Sequence, residues 1–292
     1  MIINHCVRGS IPNPNYLTLG YGGNTPCVEI KTKKYQLIFD CGSGFSKVKL
    51  SDNHKIIIFI SHFHHDHIQG LAFNSYNSGA NKKIILTSAH SNTESTYKYL
   101  SDYYDNPYFP VNFIEIINKF EFLKFKDVVS EFNDLKICSI NLNHPGNSYR
   151  YSVVSDQKKF CYLLDNEYED GQEKELVKFS ENSDTVIWDG MYLESELPSK
   201  KGWVHSSIEQ GIEFANKINF KNFLISYHSP LREDDEINII QENELFGEMG
   251  VIENELRMAT ARCLVASEIL SITKDEFDKR VNNSDVFVKG SL

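Results

Sequence analysis

The sequence has no cysteine spacing typical of a metal finger. Its six cysteines are scattered along the chain, and no CxxC pair occurs. It has no apolar run of about 18 residues, the length that would suggest a membrane span. The first residues also lack the basic start and long apolar stretch of a secretory signal. We therefore expect a cytoplasmic chain with no membrane partner, whose thiols are mostly reduced and buried.

Positive charge is also scarce. The chain carries 30 lysines and arginines against 40 aspartates and glutamates, a formal net charge of −10. A long sequence-independent nucleic-acid footprint needs many contacts from lysine and arginine to phosphate, so we expect no extended nucleic-acid surface. This balance does not exclude a small phosphate substrate at a local metal centre.

The organisation of the chain is simple. Its 292 residues, 41% of them hydrophobic, can bury a substantial core. No repeat, low-complexity tract or linker interrupts them. The sequence therefore predicts one domain over residues 1–292, with a C-terminal helical appendage at about 233–270.

The most informative stretch joins a strand to a histidine cluster. The apolar run from Ile56 to Ile60 predicts a buried strand. Four histidines and one aspartate then follow within six positions. His62 and His64 lie two apart and can point the same way in an extended loop, whereas Asp66 and His67 begin the next predicted helix. Imidazoles and a carboxylate converging in this way suit zinc or another borderline divalent metal.

Other residues with metal-binding or acid–base side chains each follow an apolar run. They are Asp40, His144, Asp165, Asp189 and His228. Strand ends at one edge of a sheet assembly can meet in space although they are far apart in sequence. Asp40 could orient a ligand histidine or cap a turn, and Asp189 could support the metal site or belong to a simple turn. The glycine-rich loop at 19–25 is either a wall of the substrate site or a tight passage of backbone.

A family resemblance rests on these residues. His62-Phe-His-His-Asp-His67 matches the HxHxDH signature of the metallo-β-lactamase fold hydrolases. Shorter blocks resemble the branch of ribonuclease Z-like and cyclic-nucleotide phosphodiesterase-like proteins: Val7-Arg-Gly-Ser-Ile-Pro, Tyr21-Gly-Gly-Asn-Thr-Pro-Cys, Phe39-Asp-Cys-Gly-Ser-Gly, His144-Pro-Gly-Asn-Ser and Tyr227-His-Ser-Pro. The resemblance implies an α/β (α+β) fold, a four-layered αββα sandwich with C-terminal helices. It also implies two divalent metal ions, zinc first, with manganese or iron as alternatives.

The same resemblance implies the ligands. It gives His62, His64 and His144 to the first ion, Asp66, His67 and His228 to the second ion, and Asp165 to both. His65 occupies the variable position of the motif, and we expect it to face away from the metals.

The implied reaction is attack by a metal-bridging hydroxide, with Asp66 and His205 as the catalytic residues. His205 would assist the leaving oxygen. It lies in Val204-His-Ser-Ser, which resembles the branch's GHS element with valine in place of glycine. The alternative is a surface histidine beside a helix cap. Ser206 or Ser207 is the expected N-cap of the following helix, whose amides could also meet a phosphate. Ser207 is also a candidate for contact with the substrate or with a metal ligand.

We therefore predict a metal-dependent phosphodiesterase acting on a small phosphodiester, above all a cyclic nucleotide. Its base would lie against the aromatic segment 103–109. One alternative is an RNA endonuclease of the tRNA 3′-processing type, and another is a lactone or thioester hydrolase on the same metals. The resemblance also suggests a homodimer. Some enzymes of the branch oppose cyclic-nucleotide immune signalling.

Overall fold

The computed structural model describes residues 1–74, 83–117 and 119–237. The chain divides into two compact units, residues 1–234 and 235–292. The predicted helical appendage at about 233–270 lies almost wholly outside the described residues, and the single domain over residues 1–292 stays a prediction. In the described ranges, no helix is long and apolar enough to cross a membrane.

Two sheets carry the architecture of the first unit. The strands of the first sheet, in spatial order, are β1 (Ile2–Asn4), β2 (Val28–Lys31), β3 (Tyr35–Phe39), β4 (Lys55–Ile60), β5 (Ile84–Ser88) and β6 (Phe120–Phe122). The strands of the second sheet, in chain order, are β7 (Lys136–Leu142), β8 (Ser148–Ser155), β9 (Lys158–Leu163), β10 (Ser183–Asp189) and β11 (Phe220–Ser226), and they neighbour one another in that order.

Helices connect and cover these strands. They are α1 (His65–Ile68), α2 (Thr93–Tyr103), α3 (Phe113–Ile117), α4 (Phe125–Glu131), α5 (Glu173–Ser180), α6 (Leu197–Lys200) and α7 (Ile208–Ala215). Strands β3 to β6 run parallel, as do β9 to β11, whereas β1 to β3 and β7 to β9 pair antiparallel. The central strands read as continuous apolar runs because parallel strands are buried on both faces.

Three apolar clusters show the layers. Successive side chains of a strand point to opposite faces, so Phe39 on β3 packs between the sheets and its neighbour Ile38 packs on the other face. The cluster between the sheets joins the two, since it includes Phe39 of the first and Tyr162 of the second. A second cluster joins the first sheet to α2 and α3, and a third joins Trp188 of β10 to Phe214 of α7. This order of helix, sheet, sheet and helix confirms the expected αββα sandwich.

The carboxyl ends of the strands meet at one edge. Asp40, Asp165 and Tyr227 each lie one or two residues beyond a strand end, and all three take the left-handed backbone conformation, with φ of 60°, 50° and 63°. Non-glycine residues adopt this region at a cost of about 1–3 kcal/mol each, and such positions concentrate at functional sites. The strained turns therefore mark this edge as the place to look for chemistry.

Candidate metal centre

Three histidines form the first donor group. His62, His64 and His144 each offer a ring nitrogen within 4.8 Å of the others, and His64 Nδ1 lies 3.0 Å from His144 Nε2. His62 Nδ1 lies 3.0 Å from Ser61 Oγ, which itself donates to Asp40. His62 Nε2 is buried and has no hydrogen-bond partner within the described part of the chain. A buried nitrogen without a partner is costly, and here it is turned toward its neighbours as a metal ligand would be.

A second donor group lies directly beside the first. His62, His67 and Asp165 again offer atoms within 4.8 Å of one another. His67 Nε2 is 3.0 Å from Asp165 Oδ2 and 3.3 Å from Asp66 Oδ2. The structure thus brings five of the seven expected ligands together in two adjoining groups that share His62, and a sixth, Asp66, lies directly beside them. Nitrogen and oxygen donors in this arrangement fit zinc, manganese or iron.

The charge of this region also fits a cation. Asp40, Asp66 and Asp165 are buried, and the buried guanidinium of Arg150 is the positive group that contacts two of them. Burial lowers the pKa of His67, but the carboxylates of Asp165, Asp66 and Asp40 outweigh it and raise the pKa well above its ordinary value. The carboxylates therefore favour positive charge at the point where the second ion would lie.

Asp40 contacts His67 on the side of the ring that faces away from the other donor atoms. Its Oδ2 lies 2.8 Å from His67 Nδ1 and accepts hydrogen bonds from Ser61 Oγ at 2.8 Å and Tyr162 Oη at 2.9 Å. This contact turns Nε2 of His67 toward Asp66 and Asp165. Such outer contacts fix the ring orientation of a ligand histidine. Of the two interpretations of Asp40 from the sequence, the geometry supports the orienting one.

Asp189 and His205 form a buried pair beside the donor groups. His205 Nδ1 lies 2.8 Å from Asp189 Oδ2, and the His205 ring centroid lies 6.0 Å from that of His144. Burial lowers the pKa of His205, but the carboxylate of Asp189 outweighs it and raises the pKa. His205 is therefore a buried imidazole oriented by Asp189, and not a surface histidine.

The loop that carries His205 holds Val204 in a conformation that is unusual for valine. Val204 has φ 67°, in the region where glycine is the usual residue. Its carbonyl lies 3.4 Å from His144 Nδ1, which keeps the lone pair of Nε2 free to face His64. Ser207 caps α7 by accepting from Gln210 N at 3.0 Å and forms a capping box with that residue. Ser207 is thus the N-cap in this structure, and its expected alternative role toward substrate has no contact to support it.

His228 is the expected ligand that the structure does not bring to either group. Its backbone pairs with Val7 and Gly9, and within the described residues its buried Nδ1 has no hydrogen-bond partner. Burial, followed by the positive charges of Arg8 and Arg232, lowers its pKa to about 4. Tyr227, directly before it, has φ 63°, and the side chain of Tyr227 contacts Asp66.

Tyr227 contacts two of the expected ligands of the second ion, Asp66 and His67. Its Oη makes a short hydrogen bond to Asp66 Oδ2 and lies 3.4 Å from His67 Nε2. Its ring stacks on that of His67 at 5.8 Å. The motif search missed this residue because tyrosine is not among the usual zinc ligands. The only signal in the sequence was its place directly after an apolar run.

Arg150 was also missed from the sequence. Its guanidinium donates to Asp165 Oδ2 at 2.6 Å, to Asp40 Oδ2 at 3.3 Å and to the carbonyl of Leu164. An arginine in the apolar strand β8 is rare enough to have been a signal, because arginine is almost never fully buried unless it is paired. Through this hydrogen bond, Arg150 connects the carboxylate of Asp165, the expected bridging ligand, to strand β8.

A small cavity opens beside the first donor group. It has a volume of about 180 Å³ and is lined by His62, Phe63, His64, His90, Tyr99, Pro145, Gly146 and Asn147. The aromatic segment 103–109, expected to hold a base, is placed elsewhere. Tyr104 is fully buried in the core, and Tyr103 Oη lies 2.5 Å from His65 Nδ1. His65 thus bonds to Tyr103 and not to the donor groups, as expected.

The glycine loop is a tight passage of backbone. A Cβ on Gly23 would lie 2.4 Å from the carbonyl oxygen of Asn13. A Cβ on Gly42 would lie 2.2 Å from the carbonyl oxygen of Asp66, directly behind the donor groups. These glycines let neighbouring backbone segments pack against one another. Thr25, at the end of the loop, donates from its Oγ1 to the carbonyl of Asp66 at 2.9 Å, so the loop packs against the backbone of a donor residue.

Comparisons with known proteins agree with this geometry. The family model described as the anti-Pycsar protein Apyc1 matches residues 24–253, and a cyclic nucleotide-binding domain model matches residues 225–284. A ribonuclease Z from Picrophilus torridus is 25% identical over 284 residues, covering 82% of this chain and 89% of that protein.

Solved structures share the fold. A metallo-β-lactamase fold protein, YhfI from Bacillus subtilis, matches with a TM-score of 0.58 and 14% identity, covering 80% of this chain and 88% of its own. A diphosphatase from the PhnP family matches with a TM-score of 0.58 and 16% identity, covering 82% of this chain and 91% of its own.

Proposed function

Since this chain belongs to the family of the anti-Pycsar protein Apyc1, and is a metal-dependent metallo-β-lactamase fold hydrolase of the ribonuclease Z-like branch, we propose that it hydrolyses cyclic nucleotides. The observation that carries the proposal is the buried His205–Asp189 pair beside the two donor groups. When a phosphodiester is hydrolysed, one ester oxygen leaves as an alkoxide and needs a proton donor beside it. A thioester would leave this pair without an evident task, because a thiolate leaves without a proton.

The residues of the site would have different roles in this hydrolysis. Two divalent ions held by the donor groups would activate a water and neutralise charge on the phosphate. Asp66, His67 and Asp165 would hold their positions through Asp40 and Arg150. His205, kept protonated by Asp189, would give its proton to the leaving oxygen.

The cavity beside His62 and His64 suits the base. Phe63 and Tyr99 have ring centroids 5.0 Å apart, and Phe63 and His90 have centroids 5.5 Å apart. Aromatic side chains bind bases by stacking with little preference for sequence. The cavity adjoins the donor groups, so a base there would leave the attached phosphate within reach of the metals. This replaces the earlier expectation that the segment 103–109 holds the base.

The cyclic nucleotide-binding domain model over residues 225–284 also supports this choice of substrate. The ribonuclease Z relative supports the second candidate, an RNA endonuclease of the tRNA 3′-processing type. The net charge of −10 speaks against that candidate, because a large RNA needs many phosphate contacts. The homodimer, the cytoplasmic location and the choice of zinc stay predictions.

A direct competition between substrates tests the proposal. Purified protein loaded with zinc or manganese is given a panel of 3′,5′- and 2′,3′-cyclic nucleotides and, at equal enzyme concentration, a tRNA precursor. We expect cyclic nucleotides to open to monophosphates and the precursor to stay intact. Cleavage of the precursor with an untouched cyclic panel would replace the proposal with the endonuclease.

A further inference from the structure

We propose that Glu167 is a positioning residue for His205 and that it acts by holding the loop in front of that histidine. Its Oε1 accepts a hydrogen bond from Gly202 N at 2.9 Å. Gly202 lies three residues before His205, and Glu167 lies two residues after Asp165, the expected bridging ligand. One carboxylate thus connects the turn of the metal centre to the loop that carries the proton donor.

The loop needs such a contact because burial does not fix it. Residues 201–203 are exposed, and Trp203 is 59% exposed. Gly202 and Val204 both take the left-handed conformation, with φ of 80° and 67°. A Cβ on Gly202 would meet no other described segment within 4 Å, so this glycine serves the backbone conformation and not the packing. A loop with so little burial depends on its hydrogen bonds for a fixed position.

The backbone of Glu167 is itself held in place. Its amide donates to Asn143 O at 3.0 Å, and Asn143 Nδ2 donates to its carbonyl at 3.2 Å. Gln172 Nε2 donates to the same carbonyl at 3.4 Å. Asn143 directly precedes His144, a member of the first donor group. The carboxylate therefore extends from a segment that is fixed beside the donor groups.

The residue before Glu167 holds the other side of His205. Ser206 Oγ donates to the carbonyl of Asn166. The amide of Asn166 donates to Asp189 Oδ2 at 3.2 Å, and the same oxygen lies 2.8 Å from His205 Nδ1. These contacts of Asn166 come from its backbone, whereas Glu167 acts through its side chain. Glu167 is therefore the member of this pair that a substitution can test.

The inference rests on the proposed function for the role of His205. If His205 protonates the leaving oxygen, loss of its position lowers the rate only where the leaving group needs that proton. Glu167→Leu should therefore lower kcat for a cyclic nucleotide by about 10–100-fold, part of the roughly 10²–10⁴-fold that a positioned acid supplies. KM and the hydrolysis of bis(4-nitrophenyl) phosphate should stay nearly unchanged, because nitrophenolate leaves without a proton.

Three further variants separate positioning from a merely structural role. Glu167→Gln keeps an oxygen that can accept from Gly202 N, so it should restore most of the rate. Glu169→Leu changes an exposed glutamate two residues further on and should have no effect. In a His205→Gln background, Glu167→Leu should add no further loss. Equal losses on both substrates, no rescue by Glu167→Gln, or a full further loss in the double variant would overturn the inference.

A measurement without substrate tests the same contact. Trp203 directly follows Gly202, and the other tryptophan of the chain, Trp188, is buried. In time-resolved fluorescence anisotropy, Glu167→Leu should add a fast component from Trp203, and Glu167→Gln should not. An unchanged decay in Glu167→Leu would overturn the inference whether or not the protein is active. A protein that hydrolyses no cyclic nucleotide but gains the fast component in Glu167→Leu would refute the proposed function alone.

Discussion

Replacing Arg150 tests how the centre is held together. Arg150 is fully buried and donates to Asp165 and to Asp40, both of which are also buried. Arg150→Met keeps the approximate length of the side chain but removes its charge and its donors. Two carboxylates would then lose a positive partner inside the protein.

The expected cost follows from that burial. Removing one partner of a buried ion pair typically costs about 3–5 kcal/mol, because the remaining charge is left uncompensated. Arg150→Lys should lose less, about 1–3 kcal/mol, because an ammonium keeps the charge but cannot match the fork that also reaches the Leu164 carbonyl. Metal binding should reduce both losses, since cations beside Asp165 neutralise the same carboxylate.

Denaturant unfolding of chelator-treated and metal-loaded protein measures these differences. The matched control is Lys98→Met, which removes an exposed pair with Asp102 and should change the free energy of unfolding by under about 0.5 kcal/mol. A loss in Arg150→Met no larger than that of the control would refute the reasoning, as would equal losses with and without metal.

Three other changes test neighbouring parts of the account. His205→Gln should lower turnover of a cyclic nucleotide by about 10²–10⁴-fold and leave hydrolysis of bis(4-nitrophenyl) phosphate nearly unchanged, since nitrophenolate leaves without a proton; steady-state rates decide this, and equal losses on both would contradict it. Val204→Gly should raise the free energy of unfolding by about 0.5–1 kcal/mol, as relief of about 1–2 kcal/mol of left-handed strain exceeds the added entropy of an unfolded glycine. For Glu29, burial raises the pKa, but hydrogen bonds with His5 and Gln36 and the charge of a nearby lysine outweigh it and lower the pKa below 4.5. Its stabilisation is present above that value and disappears as the pH falls through the lowered pKa, so acid unfolding curves should be steeper for wild type than for Glu29→Gln, and identical curves would contradict this.

The sequence predicted those parts of the molecule that depend on local pattern. The apolar run before His62, predicted as a buried strand, is β4 in the structure. Ser207, one of the two serines expected as the N-cap, caps α7 and forms a capping box with Gln210. Each of these signals lies within a few residues and needs no knowledge of the rest of the chain.

What escaped prediction depends on tertiary packing. The contact of Tyr227 with Asp66 depends on the room that Gly9 leaves for the tyrosine ring, more than 200 positions away in the chain. The role of Arg150 depends on two carboxylates from other strands. The short helix α4 after β6 packs its Val128 into the core between the sheets, a contact that its own sequence does not reveal.

The central claim is that the donor groups hold metal ions that the hydrolysis of a small phosphodiester requires. The most direct measurement is the rate of cyclic-nucleotide hydrolysis by the same sample as purified, after metal removal and after metal is restored, with metal content determined each time. The account predicts that activity disappears with the metal and returns with up to two ions per chain, and that His62→Ala loses metal and activity together. Full activity in a metal-free sample would contradict it.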